Sequence, residues 1–175
     1  MTLSRARTTG AVYLLYFVMV IGAAASIGRT PAALSDAANL IANAGYIVVT
    51  LLLYQLFNRV NRNLALLAVA ISVAGCVIQS PSSFRLVPAQ SALPIFGLFN
   101  LTIGILILKS TFLPRGLGVL MTLSGLGWLT FLSPELLKYL RAYVEILGIA
   151  AEGSLMLWLL VKGVNVQRWN AQARG

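Results

Sequence analysis

At 175 residues, 59% hydrophobic and 10% charged, the chain carries far less charge than a water-soluble domain, where charged residues make up about a quarter, and that balance excludes an ordinary soluble fold. The net charge of +9 would suit a nucleic-acid partner, but the 13 Lys and Arg lie scattered between apolar runs instead of in one block, which makes them a topology signal and argues against nucleic acid. A single cysteine excludes an intrachain disulfide, and the absence of histidine excludes His-containing metal motifs, Ser-His dyads and His general bases.

Apolar runs occupy 10–28, 38–57, 64–78, 94–108, 116–132 and 142–161. About 20 helical residues are needed to cross a hydrocarbon core of ~30 Å, so the first, second and last runs fit and the middle three are short. Short spans borrow flanking residues, tilt or pack inside a bundle. The sequence therefore predicts one all-α domain, an integral membrane bundle of six transmembrane helices without a soluble domain, with four or five spans as the alternative counts.

In chain order, the first run follows Arg5 and Arg7 and ends near Ala23-Ala24-Ala25. It is too long for the core of a cleavable signal peptide and reads as a signal anchor. Thr30-Pro31 and Ser133-Pro134 each pair a capping residue with a proline suited to the first helical position. Asp36 and Glu135, close behind them, suit the positive ends of those helices. On the second helix, Asn39, Asn43, Tyr46, Thr50 and Tyr54 share an arc of about 80° at 100° per residue. Cys76, inside the third run, reads as a small buried hydrophobe. The stretch 79–93, with Pro81, Ser82, Ser83, Arg85 and Pro88, reads as the longest loop, and Pro94 opens the fourth helix, which carries Asn100. Gly116, Gly118, Gly125 and Gly127 lie at the start of and within the fifth run, so close helix packing explains them better than a phosphate loop. Beyond Pro134 the apolar pattern continues unbroken into the last span, and Arg168 and Trp169 suit an interfacial tail.

With six spans, nine cationic residues (Arg5, Arg7, Arg59, Arg62, Lys109, Arg115, Lys162, Arg168 and Arg174) share one side, and Arg29, Arg85, Lys138 and Arg141 share the other. The positive-inside rule then places both termini in the cytoplasm, where the basic face should attract anionic lipid headgroups.

Only four residues are acidic, and two of them, Glu145 and Glu152, lie in the last apolar run. An ionisable group at membrane depth is costly and is read by default as part of a functional site. Lys138, Arg141, Glu145, Gly148 and Glu152 fall within about 80° on that helix, descending to Glu152 near its middle. By depth, Asn43 lies between Glu145 and Glu152, and Asn100 lies near Glu152. The candidate binding residues are thus Glu152, Glu145, Arg141, Asn43, Tyr46 and Asn100. They suit a cavity open toward the outer face, with Lys138 and Arg141 at its mouth and Glu152 at its floor. The plainer reading is structural: Asn, Thr and Tyr join membrane helices through bonds of about 1 kcal/mol each, and Arg141 and Glu145, one turn apart, form an ordinary ion pair.

The segments VNRNLALLA at 60–68, FLPRGLGVL at 112–120 with GLGWL after it, and WLLVKGVN at 158–165, together with a glutamate shortly before the last of them (Glu152), resemble the bacterial domain-of-unknown-function 4386 family. The resemblance implies a small polytopic protein of the bacterial inner membrane with no assigned activity. FGLFNLTIGIL departs from the pattern, because a histidine often stands in the family about where Asn100 is. The expected function is non-enzymatic: binding a lipid, a small amphiphile or a membrane-protein partner through a polar-lined interior, without cofactor or metal. The alternative is a small proton-coupled transporter using Glu152.

Overall fold

The computed structural model describes residues 3–26, 31–80 and 92–172. Helices α1 (Leu3–Ser26), α2 (Ala32–Phe57), α3 (Arg62–Ile78), α4 (Leu93–Lys109), α5 (Arg115–Leu129), α6 (Pro134–Val161) and α7 (Val166–Gln172) account for nearly all of them, with one 3-10 turn at Thr130–Leu132. The described chain is all-α. Thr30, Arg29 and Arg174 lie outside the described residues, as do Pro81, Ser82, Ser83, Arg85 and Pro88 of the expected loop.

The helix boundaries follow local chemistry. The Ser133 hydroxyl accepts from the Leu136 amide, Pro134 stands in the first turn of α6, and Glu135 is the acidic residue of that turn, as the sequence suggests. Pro94 sits in the first turn of α4. Pro31 differs: it precedes α2 as the capping residue. Asp36 lies just past the first turn of α2, which contains no acidic residue. Asn61 caps α3 by accepting from the Leu64 amide at 2.9 Å.

Each helix packs against its neighbours in sequence, and α6 closes on α1, so the six long helices form a ring. Neighbours run antiparallel, as pairs of contacts show: Gly10 with Leu160 and Tyr13 with Glu152 between α1 and α6, Asn43 with Cys76 and Thr50 with Ser72 between α2 and α3, and Gly97 with Gly125 and Gly104 with Gly118 between α4 and α5. Helices α4 and α5 approach most closely because glycines face each other there: a Cβ on Gly125 would stand 2.6 Å from the Leu101 amide nitrogen, and one on Gly118 3.0 Å from the Gly104 carbonyl oxygen. Two of the four glycines noted in the fifth run thus mediate close packing, whereas Gly116 faces open space and Gly127 makes an ordinary contact with Val144.

Large side chains such as Leu15, Val18, Ile41, Leu66, Leu126 and Leu157 are exposed around the ring. An apolar exterior of this extent needs a nonaqueous neighbour. Four helical stretches, Leu3–Ala23, Ala33–Phe57, Arg115–Leu132 and Pro134–Val161, are long and apolar enough to cross a membrane, while Arg62–Ile78 and Leu93–Lys109 are shorter apolar helices. At 17 residues each, these two rise about 25 Å at 1.5 Å per residue, which falls short of a ~30 Å core.

The tail departs from expectation. Gly163, at a φ of 70° that suits a residue without Cβ, ends α6 and turns the chain. Helix α7 then folds under the ring, where Trp169 is buried and its indole N–H donates to the Leu56 carbonyl at 3.0 Å. Arg59 lies 6.0 Å from the centre of that indole, and Gln172 accepts from the Thr111 amide at 3.0 Å. The indole is therefore packed against protein backbone at the end of the ring where α1 begins, and it lines an open pocket there with Arg5 and Arg59.

Candidate functional site

Glu152 lies in the second half of α6, and the unbroken run from Pro134 carries it into the ring. Its Oε2 accepts from the Tyr13 hydroxyl of α1 at 2.8 Å, and its Oε1 accepts from Asn100 Nδ2 of α4 at 3.1 Å. The same amide nitrogen reaches Ser124 Oγ of α5 at 3.3 Å. Tyr13, Asn100 and Ser124 are fully buried, so α1 and α4 meet α6 at one carboxyl through groups without formal charge, and α5 joins the network through Asn100. Asn100 Oδ1 is buried without a hydrogen-bond partner: this network orients the Glu152 side chain but leaves one acceptor unused.

On the other side of Glu152 is a cavity of about 240 Å³, in the half of the ring away from the chain termini. Tyr16 and Phe17 of α1, Asn43 and Tyr46 of α2 and Phe96 of α4 form much of its wall. Trp128 of α5 closes another side, and Gln79, just past α3, stands at the level of the ring's end. The Tyr46 ring centre lies 4.9 Å from that of Tyr16 and 5.3 Å from that of Phe96. These spacings are typical of favourable aromatic pairs, so the wall is mutually supported. Below Glu152, toward the termini, Leu53, Leu56, Ile103, Leu106, Leu155 and Leu159 are almost wholly buried, and the cavity meets packed side chains there.

Asn100 and Glu152 come together as their depths suggested. Tyr46 and Asn43 line the same cavity, although Asn43 also ties α2 to α3 by donating to the Cys76 carbonyl at 3.4 Å. Thr50, from the same stripe, pairs with Ser72 at 2.8 Å and serves that interface. The expected cationic mouth needs correction. Arg141 binds Glu145 at 2.9 Å with side chains 68% and 43% exposed, and Lys138 binds Glu135 at 3.0 Å. None of these four lines the cavity. The first turns of α6 are largely exposed, with Tyr139 and Tyr143 turned outward, and the Trp128 ring covers Gly148, where a Cβ would stand 2.7 Å from it. The gap expected at Gly148 is filled by an indole, which separates the ion pair from Glu152.

Several residues of the site were not singled out from sequence, among them Tyr13, Tyr16, Phe17, Phe96, Ser124 and Trp128. A signal existed for the first three, since Tyr13, Tyr16 and Phe17 recur at helical spacing on one face of α1. Ser124 and Trp128 sit among the glycines of α5, where packing explains the pattern and hides them. Among the described residues no group of three His, Cys, Asp or Glu side chains could hold a metal ion.

Residues 89–163 match the family model described as a domain of unknown function (DUF4386), the family that the sequence motifs resemble. The matched stretch contains Asn100, Ser124, Trp128 and Glu152 but not Tyr13, Asn43 or Tyr46, so two helices outside it complete the site. Neither the curated proteins nor the solved structures contain a match to the chain.

Proposed function

We propose that this is a six-helix protein of the bacterial inner membrane, with both termini in the cytoplasm and no enzymatic chemistry of its own, that binds a small amphiphile in the cavity above Glu152. The observation that carries this reading is the cavity itself: an aromatic wall with a single carboxyl at its floor and packed aliphatic side chains beneath. Ligand sites are typically concave and mostly apolar, with a few polar groups that fix orientation. At about 240 Å³ this one falls below the common range of about 300–1,000 Å³, which favours a small occupant. Six spans follow if α3 and α4 cross with the help of flanking residues and local thinning of the bilayer. The ring supports that count, since α3 and α4 stand in it beside the longer helices. The basic residues at the terminal end would then face anionic cytoplasmic lipids.

The test is ligand-induced stabilisation in nanodiscs. Benzyl alcohol is an uncharged aromatic amphiphile of suitable size, and a ligand that binds the folded state alone stabilises it by mass action. It is expected to raise the melting temperature of the parent but not of Asn43→Phe, whose ring would occupy the cavity. Equal shifts in both proteins, or none in either, would overturn the reading.

A second reading is a small proton-coupled transporter. Its support is the position of Glu152 at the boundary between cavity and packed core, held by neutral hydrogen-bond donors. On that reading Glu152→Gln abolishes uptake driven by a pH gradient in proteoliposomes while the protein folds normally.

A further inference from the structure

We infer that the occupant of this cavity is a small organic cation, an amine or quaternary ammonium with an apolar body, held by the Glu152 carboxylate and the surrounding aromatic rings. The inference rests on the cavity reading above and adds the sign of the ligand's charge.

Charge is the first argument. Among the described residues that line the cavity, Glu152 is the only acidic side chain and none is Lys or Arg. The basic residues nearest along α6, Lys138 and Arg141, are engaged with Glu135 and Glu145 on the exposed part of the helix. An anionic headgroup would therefore meet a like charge with no counter-charge among the described residues of the wall, at a cost that low-dielectric surroundings magnify. A cation meets the opposite.

The hydrogen bonds are the second argument. Tyr13 and Asn100 each donate to a different oxygen of Glu152. These bonds fix the direction of the carboxyl without neutralising it, as an arginine or lysine partner would.

The wall supplies the third argument. Tyr16, Tyr46, Phe96 and Trp128 converge on one small space, and the faces of such rings attract ammonium groups, the more so when desolvated. Quaternary ammonium recognition by clustered aromatic side chains is a general solution to binding a cation that cannot donate hydrogen bonds. An apolar wall without rings would hold a neutral ligand equally well; an aromatic wall beside a carboxylate discriminates in favour of positive charge.

Three probes of nearly one shape separate the possibilities: benzyltrimethylammonium, its uncharged carbon isostere neopentylbenzene, and the anion phenylacetate. Each is titrated calorimetrically into the full-length protein in nanodiscs of uncharged lipid, with empty nanodiscs as reference. The cation is expected to bind at least tenfold more tightly than the isostere, and phenylacetate not measurably. In Glu152→Gln, which keeps size and hydrogen-bonding capacity, that preference should fall to within about twofold while the isostere binds as before. Phe96→Leu, which keeps the apolar volume but removes a ring, should weaken the cation more than the isostere. Equal binding of cation and isostere by the parent would overturn the charge assignment while leaving the cavity reading in place. Failure of all three probes, together with failure of benzyl alcohol to distinguish the parent from Asn43→Phe, would overturn both. Retention of the full cation preference in Glu152→Gln would place the recognition elsewhere and sink the inference.

Discussion

At the scale of single residues, Glu152 shows how a polar group is accommodated inside an apolar ring. Its two oxygens accept from two helices, and each donor, Tyr13 and Asn100, is itself buried without access to bulk water. Replacing the carboxyl by an alkyl group would strand both donors, and an unpaired buried donor costs about 1–3 kcal/mol. Glu152→Leu is therefore expected to lose about 3 kcal/mol of stability, and Glu152→Gln, which offers an oxygen to one neighbour and an N–H to the other, to stay within about 1 kcal/mol of the parent. Reversible thermal or denaturant unfolding in detergent measures both. Equal losses in the two variants would show that the hydrogen bonds contribute nothing.

At the scale of elements, contact between α4 and α5 depends on what is missing from their surfaces. A methyl group at Gly125 would meet the backbone nitrogen of Leu101 and the carbonyl oxygen of Gly97, at 2.6 and 2.7 Å, and neither atom can move alone. Gly125→Ala should force the helices apart and cost about 2 kcal/mol, within the range for overpacked cores. Gly116→Ala, which faces open space, should be neutral or gain up to about 1 kcal/mol from helix propensity. The two variants differ by one methyl each, so the contrast isolates the interface. Helix α7 depends on a different anchor. Trp169→Ala removes a buried indole and its bond to the Leu56 carbonyl, a truncation that costs about 3–5 kcal/mol in a core. Because α7 is only seven residues long, too short to persist unsupported, its amides should lose hydrogen-exchange protection while those of α4 and α5 keep theirs.

For the whole molecule, the proposed six spans and cytoplasmic termini rest on the distribution of Lys and Arg together with the ring. Cysteine labelling in intact cells, in a Cys76→Ala background, tests that arrangement. Cysteines placed at Arg62 and Arg115 should react only after the membrane is permeabilised, and one placed at Gln79 should react from outside with an impermeant reagent. Labelling of Arg62→Cys in intact cells would overturn the six-span topology. The two ends of the molecule differ in structure: α7 packs across the end where α1 begins, beside an open pocket of about 660 Å³ lined by Arg5, Arg59 and Trp169, and the opposite end contains the cavity beside Glu152.

By itself the sequence determined the helical, membrane-compatible character of the chain, most helix starts, and a Glu152 near the depth of Asn100. These follow from composition, from capping residues such as Ser133, and from the fixed 100° step that puts residues of one stripe on one side of a helix. It did not determine what each stripe faces. The stripe on α6 holds an exposed ion pair at one end and a buried carboxyl at the other, because α6 outlasts its neighbours and Trp128 of α5 lies across Gly148. The stripe on α2 is shared between the α3 interface, through Asn43 and Thr50, and the cavity, through Tyr46 and Asn43. Tyr13 enters the site only because α6 closes the ring on α1, 139 residues apart in sequence. Periodicity fixes angles within one helix; which helix stands opposite, at what depth, and which ring fills the gap are properties of the packed ring, and only the tertiary structure decided them.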